Sequence, residues 1–449
     1  MNRWIAAIMS MPELRNRILF TLGMLAVFRL GVHIPAPGVD RQALGDFITA
    51  NRGTMFGLYD MFSGGALEQF SVFVLGIMPY ITASIIIQLL TVVLPPLERL
   101  SKEGQQGKGL ITQYTRYATI GIALAQSFTI AVSLEQMKTA ANADVVLNPG
   151  WEFRLLTMIT MTAGSCFVMW IGEQISERGI GNGSSLIITA GIVSHFWSGV
   201  MQIVRKIELG ELNLLQATLL LGVVILVIGA IVWIERGQRR IPIQYAKRVV
   251  GRRVYGGQTT HLPLKVNTTG VIPPIFASSV LMAPATLATF LKTDAMGAIT
   301  SAFAPGAWLY NYSYIALIVF FSYFYTAMMF NPVDVADNLK KHGGYIPGIR
   351  PGKQTAEYID ALLTRLTCAG AIYLAAVCIL PTLLITQYGV PFHFGGTGLL
   401  IVVGVSLDTV AQVEAQLLTR HYDGLQGPGG GGRVAGRRRM LMGGAQEAG

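Results

Sequence analysis

Ten separate apolar runs, each close to the length of a membrane-spanning helix, limit what this chain can fold into. An α-helix needs about 20 apolar residues to cross a bilayer, where no water satisfies exposed backbone groups. The composition agrees, since 52% of the 449 residues are hydrophobic and only 13% are charged. We therefore predict an all-α membrane protein with ten transmembrane helices. The predicted spans are 18–34, 73–94, 114–134, 153–171, 184–204, 212–234, 271–291, 308–330, 362–383 and 396–418.

The distribution of lysine and arginine predicts which way the chain lies in the membrane. Basic residues resist translocation and collect in the cytoplasmic loops. The connection between spans 6 and 7, residues 235–270, holds eight Lys or Arg residues and a single acid, Glu235. Both termini are therefore predicted to be cytoplasmic, and the net charge of +10 would make that side attractive to acidic partners, RNA or anionic lipid. The connections predicted on the opposite side hold only six basic residues: Arg41, Arg52, Lys138, Arg205, Lys206 and Lys292.

The ten spans divide into two halves of five. Because five is odd, the second half would enter the membrane upside down relative to the first, as in an inverted repeat. We place the halves at 1–204 and 205–420, with long cytoplasmic loops at 235–270 and 331–361. A flexible tail rich in Gly and Arg would follow at 421–449. A chance similarity between two apolar segments remains the alternative explanation for the repeat.

A segment at residues 58–70 is too short to span and is interrupted by Asp60, Gly64, Gly65 and Glu68. It cannot face lipid, because irregular backbone at membrane depth is tolerated only against protein or water. Two interpretations stay open from the pattern alone. The segment either re-enters the membrane and fills a cavity, or lies on the surface as an external loop.

The sequence holds no phosphate-binding loop, zinc-binding helix, nucleophile elbow or paired-cysteine motif. We therefore predict no enzymatic activity, cofactor or metal, and any transport would draw its energy from a partner or a gradient. A gradient-coupled solute transporter or an intramembrane hydrolase would be the alternatives, although ionisable residues at mid-membrane depth are almost absent. The six histidines are predicted to be surface or interfacial residues: His33, His195, His261, His342, His393 and His421.

Over residues 12–420 the chain closely resembles the SecY family, which supplies the channel-forming subunit of the bacterial protein translocase. The resemblance implies a central channel that passes unfolded secretory proteins and releases transmembrane segments laterally into lipid. A motor ATPase or a translating ribosome would drive it. Eight blocks in the same order carry the resemblance: 62–67, 76–81, 173–183, 235–240, 261–267, 330–332, 336–341 and 347–352.

In such channels the two halves form an hourglass with an apolar waist. An apolar constriction sheds water and blocks ions, and its side chains can still yield around a passing polypeptide. Ser184 departs from the family pattern near this waist. The resemblance assigns the waist to five residues, here called the isoleucine ring: Ile77, Ile81, Ile188, Ile275 and Ile401.

The same resemblance assigns residues 58–70, here called the plug segment, to the element that closes the external funnel. Its glycines would supply the backbone freedom that a moving element needs. The central plug residues would be Met61, Phe62, Ser63, Gly64, Gly65, Ala66 and Leu67.

The lateral gate would lie between spans 2 and 3 on one side and spans 7 and 8 on the other, with Thr82 and Gln88 along the seam. Implied partners are the SecE and SecG subunits, the SecA ATPase, the ribosome, signal sequences, membrane lipid and a second copy of the chain. The implied location is the bacterial inner membrane. Six arginines would form the docking face for SecA or the ribosome: Arg236, Arg239, Arg240, Arg252, Arg253 and Arg350.

Overall fold

Long helices account for most of the structure, a computed structural model that describes residues 11–40, 44–45, 60, 63–136, 145–210, 213–245, 248–250, 253–255, 259–290, 307–388 and 396–425. Each of the ten predicted spans contains a long helix. These helices are α1 (Pro12–Val32), α2 (Met78–Val93), α4 (Gln105–Gln136), α5 (Trp151–Arg178), α6 (Gly183–Glu208), α7 (Leu214–Glu235), α8 (Ile272–Phe290), α9 (Trp308–Met329), α11 (Lys353–Tyr388) and α12 (Gly396–Leu425). Two short helices complete the set: α3 (Pro95–Lys102) and α10 (Pro332–Lys341).

By length and apolar content alone, six helices within the described ranges can cross a membrane, and α2 with α3 makes a seventh if the two count as one bent span. Helices α7 and α8 are apolar over shorter described stretches, Leu221–Glu235 and Ile272–Leu281. Helix α1 differs because its first two turns carry Glu13, Arg15 and Arg17. The structure therefore keeps the ten-helix order, although not every helix is equally apolar.

The bend between α2 and α3 follows from proline chemistry. A residue before proline avoids the helical region because the proline ring clashes with its backbone. Leu94 precedes Pro95 and has extended angles, φ −99° and ψ 113°. The chain consequently turns by 100° there, which ends the second span and directs α3 away from it.

Most helix contacts repeat between the two halves. In the first half α2 packs against α4, α4 against α5, α5 against α6, and α1 against α5 and, less extensively, against α6. In the second half α8 packs against α9, α9 against α11, α11 against α12, and α7 against α12. The halves meet where α6 packs against α12, and where α8 touches both α2 and α4. This repeated neighbour order is what a five-plus-five repeat requires.

A small antiparallel sheet, absent from the sequence-based prediction, connects the two long loops of the second half. Strands β1 (Gln238–Tyr245) and β4 (Thr259–Lys265) come from the α7–α8 connection, and β5 (Gly344–Tyr345) follows α10. The strand order is β4-β1-β5, and the strands β2 (Arg248–Val250) and β3 (Arg253–Tyr255) pair separately. We call β1, β4, β5 and α10 the sheet module. Its apolar core includes the start of α11 and consists of Ile241, Leu264, Ile346, Ile359 and Leu363.

Candidate functional site

The five residues of the isoleucine ring belong to one apolar cluster at the junction of the halves. They come from four helices, α2 and α6 of the first half and α8 and α12 of the second. Ile81 is half-buried and packs against the cluster. The structure therefore brings these residues together from positions up to 324 apart in the sequence, which is Ile401 minus Ile77. The other four are almost fully buried, with exposed fractions of 2% for Ile77, 2% for Ile188, 8% for Ile275 and 0% for Ile401.

Two ring residues, Ile77 and Ile81, lie where α2 begins. Ile77 is the N-cap residue of α2, and the N–H of Ile81 donates to the Ile77 carbonyl at 3.1 Å. Gly172 of α5 lies beside them, and a Cβ there would be 3.3 Å from Ile77 Cδ1. The absence of a side chain at Gly172 leaves room for the ring residue to pack closely.

Ser184, which departs from the family pattern, starts α6 one turn before Ile188. Asn182 caps this helix, because its Oδ1 accepts from the Ser184 N–H at 3.1 Å and from the Ser184 hydroxyl at 2.6 Å. Such a cap satisfies backbone donors that have no partner inside the helix. The Ser184 hydroxyl therefore donates its hydrogen bond to the capping residue Asn182.

The described part of the plug segment is packed inside the protein. The exposed fractions are 1% for Ser63, 0% for Ala66 and 5% for Leu67. Ala66 belongs to the same apolar cluster as the isoleucine ring, whereas Leu67 joins a second cluster with residues of α4 and α5. This burial favours the cavity-filling interpretation over an external surface loop. Met61 and Phe62 lie outside the described residues.

Two glycines of the plug segment adopt backbone angles that other residues rarely reach. Gly64 has φ +74° and Gly65 has φ +86°. At Gly64 a Cβ would also lie 2.9 Å from the Cα of Gly191 on α6. Only glycine fits both the left-handed angle and this close approach.

Polar contacts attach the plug segment to two helices. Asp60 Oδ1 accepts from the N–H groups of Leu67 and Glu68 at 3.1 and 3.0 Å. Its Oδ2 lies 3.2 Å from Nε2 of His195 on α6. From α1, Arg29 Nη1 donates to the Gly64 carbonyl at 2.8 Å. The segment is thus joined to the first and fifth long helices.

The prediction that His195 is a surface or interfacial residue did not foresee that it pairs with the plug segment. Its side chain is 22% exposed, lies within α6 and pairs with a carboxylate 135 residues away. The sequence does hold one signal for the position of His195, because it follows Ile188 by seven residues. Two helical turns place such residues on the same face, so His195 lies on the ring-facing side of α6.

The candidate gate lies where α8 touches α2 and α4. Buried apolar side chains of this region, among them Ile85 and Phe276, belong to the same cluster as the isoleucine ring. Thr82 donates to the Met78 carbonyl at 3.0 Å, and Gln88 Nε2 lies 3.4 Å from Ser84 Oγ. Both polar groups therefore bond within α2, and their role along the seam stays a prediction.

The candidate docking arginines gather around the sheet module. Arg239 and Arg240 lie on β1, Arg236 ends α7, and all three side chains are exposed. Arg350 follows β5 and is exposed as well, while its carbonyl accepts from Thr355 Oγ1 at 2.9 Å. The sheet thus joins basic residues of two loops that the sequence shows only as separate segments. Arg252 lies outside the described residues, and only the backbone of Arg253 is described.

The conserved pattern of the SecY family matches residues 71–410. The protein translocase subunit SecY of Aquifex aeolicus is 46% identical over 423 residues, which cover 94% of this chain and 99% of that protein. SecY of Escherichia coli K12 is 48% identical over 418 residues, covering 92% of this chain and 94% of the relative. The chain belongs to the SecY family.

Solved structures share this SecY-family fold. A protein-conducting channel superposes with a TM-score of 0.61 at 18% identity, over 90% of this chain and 91% of that one. A second structure, of a SecY protein whose plug domain stabilises the closed state, gives 0.63 at 20% identity with the same coverage. Sec61 in the canine ribosome–channel complex gives 0.59 at 17% identity, again over 90% and 91%. The predicted fold, ten helices in two halves that form an hourglass with a plug, is confirmed, and the chain is a multi-pass membrane protein.

Proposed function

We propose that this SecY-family chain is the central protein-conducting channel of a Sec translocase. Unfolded secretory proteins would pass through the isoleucine ring, and transmembrane segments would leave sideways between α2 and α8. One observation supports this most directly. Both halves contribute ring isoleucines to one apolar cluster, and the buried plug segment packs against that same cluster. An apolar constriction closed by a movable plug segment would let an unfolded chain pass while blocking ions.

The ring can accommodate many different substrates because its contacts are non-directional. Branched aliphatic side chains pack by dispersion and burial alone, so they can separate and return without leaving unpaired polar groups. A hydrogen-bonded constriction would instead expose buried donors and acceptors each time it opened. The ring therefore suits an unfolded chain of any sequence.

The lateral exit rests on the small contact between α8 and the pair α2 and α4, compared with the broad packing of α6 against α12 on the other side. A bundle of this kind opens where fewest contacts are lost. Apolar segments would then exchange buried contacts for lipid at little cost.

The driving partner would be SecA or a translating ribosome docked on the sheet module. Arginine suits both, because its planar fork donates paired hydrogen bonds to phosphate or carboxylate groups. Ribosome-bound channels among the structural relatives support the ribosome as a partner. SecE and SecG would complete the complex in the bacterial inner membrane, with both termini cytoplasmic and two copies able to associate. The chain itself would catalyse no reaction.

The test is ATP-driven import into vesicles that contain the chain with SecE and SecG. SecA and a signal-bearing precursor are supplied, and imported precursor is measured by protease protection. Arg350→Glu should lose import while its insertion into the vesicles is unchanged. Arg205→Glu makes the same charge change at an exposed position predicted on the opposite side, so it should import normally. Equal import by both variants would reject the docking face, and solute uptake without SecA would favour a transporter.

A further inference from the structure

We propose that His195 and Arg29 are positioning residues that hold the plug segment in its closed place, with Asp60 as the group that His195 holds. The proposal deepens the channel function above and depends on it. These side chains would touch no reacting atom and no substrate. They would set how often the channel opens in the absence of a translocating chain.

Asp60 organises the plug segment and attaches it at the same time. Its side chain is only 7% exposed, and a buried carboxylate needs donors for its oxygens because it has lost its water. Oδ1 accepts from two backbone N–H groups of the segment, which closes the turn between Asp60 and Glu68. Oδ2 faces His195 of α6. The two oxygens therefore have separate tasks, one inside the segment and one between elements.

Arg29 holds the same segment at Gly64. Its guanidinium donates to the carbonyl of Gly64 and comes from the last turn of α1. Gly64 in turn approaches the backbone of Gly191, one turn before His195 on α6. The segment is thus clamped between α1 and α6, and the clamp needs glycine at position 64.

The position of His195 connects the clamp to the isoleucine ring. Seven residues along a helix correspond to about 10 Å, so His195 lies about two turns beyond Ile188 on the same face of α6. Ile192, buried to 1% exposure, lies between them. Because Ala66 of the plug segment packs in the same cluster as the ring, a polypeptide that enters the ring would push the segment away from His195.

Breaking such a clamp can be reversible. When the segment moves away, the vestibule fills with water, and Asp60, His195 and Arg29 exchange their protein partners for water. Hydrogen bonds to charged groups that are exchanged for water contribute a moderate net free energy, whereas leaving one partner buried and unpaired costs more. The clamp would therefore hold the idle channel shut and still yield to a substrate. Glu68, half-buried in the same segment, is a further charged group near this site.

The experiment measures ion conductance of the full chain with SecE and SecG in planar bilayers, without SecA. We call the conductance measured without SecA the leak. His195→Phe removes the hydrogen-bond donor but keeps an aromatic side chain of similar size, and we expect the leak to rise about tenfold. His195→Gln restores an N–H donor near the Nε2 position and should leave the leak close to that of the unchanged protein. Thr189→Val is the matched control on α6, since the Thr189 hydroxyl donates to the Ser185 carbonyl of its own helix.

A second pair of variants tests whether His195 acts through Asp60. Asp60→Ala should raise the leak at least as much as His195→Phe, because it also opens the turn. Adding His195→Phe to Asp60→Ala should produce no further rise, since residues that act as one unit are non-additive. An additive rise would overturn the pairing even if a single variant were poorly produced.

The outcomes separate this proposal from the channel function. If ATP-driven import is normal and His195→Phe leaks no more than Thr189→Val, the clamp is rejected and the channel stands. If the unchanged complex imports no precursor, the channel function fails whatever the leak. A leak that rises with His195→Phe and also with His195→Gln would mean that the imidazole ring packs and does not donate.

Discussion

The isoleucine ring and the clamp on the plug segment each place a residue on α6, Ile188 and His195, yet on our proposal they would hold the channel closed by different physics. The ring is a cluster of aliphatic side chains whose contacts have no direction. The clamp consists of a few polar contacts with defined donors and acceptors, namely Asp60 with His195 and Arg29 with Gly64. The difference teaches that one channel can combine a closure made of non-directional apolar contacts with one made of defined hydrogen bonds. The ring should depend on apolarity and the clamp on geometry.

The largest effect is expected from a charged residue in the isoleucine ring, which tests whether closure there depends on apolarity. Ile401 is fully buried, and Ile401→Asp would place a carboxylate among apolar side chains. Burying it would cost several kcal/mol, so water would enter, and we expect conductance to rise about 100-fold or more. Single-channel recording measures this rise. Ile401→Val, which stays apolar, is the control, and an equally large leak from valine would refute the importance of apolarity.

The next test concerns the glycine of the clamp. Gly64→Ala adds a Cβ at φ +74° and 2.9 Å from Gly191 Cα, so the plug segment cannot seat fully. We expect the leak to rise about tenfold, because the left-handed angle alone costs roughly 1–2 kcal/mol. Gly104→Ala is the control, since it has φ +79° but no neighbour within 4 Å. If both variants leak equally, general strain and not seating would be responsible.

A third variant tests whether the ring depends on the shape of its side chains as well as on their apolar character. Ile188→Leu keeps the volume and the apolar character, so the leak should change by no more than about twofold. The measurement is the same bilayer conductance, beside His195→Phe two turns further along the helix. Should Ile188→Leu leak as strongly as His195→Phe, the ring would depend on shape as much as the clamp does.

The smallest effect is expected at the predicted gate. Thr82→Val removes a hydroxyl whose bond lies within α2, at 3.0 Å to the Met78 carbonyl. Lateral insertion of a test transmembrane segment should change by about twofold or less, since hydrogen bonds inside a membrane helix contribute little. Bilayer conductance should not change. A large loss of insertion would show that Thr82 bonds across the seam when the gate moves.

The sequence was most informative where structure is local. Each of the ten spans contains a helix because about 20 apolar residues have few other ways to lie in a membrane. The sheet module was missed, although Ile241 and Ile243 alternate with Arg240 and Pro242 as a half-buried strand does. That short pattern was hidden in a loop treated only as a carrier of positive charge.

The candidate site was predictable in part. The isoleucine ring came from resemblance, since single isoleucines in apolar helices carry no distinguishing signal. The plug segment was already marked by its pattern as too short to span, and resemblance then assigned its role. The pairing of His195 was not predicted because its partner Asp60 is 135 residues away, and no local pattern reveals such a pair. Long-range polar contacts of this kind become visible only once the helices are packed.

Helix α11 gives the sheet module a mechanical connection to the centre of the membrane. Its residues 359–378, ahead of Pro381, cover about 29 Å of continuous helix. Ile359 and Leu363 near its start pack into the sheet module, while Leu374 and Cys378 lie in the cluster that holds Ile401. This stretch of α11 therefore packs into both apolar cores. A force applied to the sheet would tilt the helix and so move the side chains that pack beside Ile401.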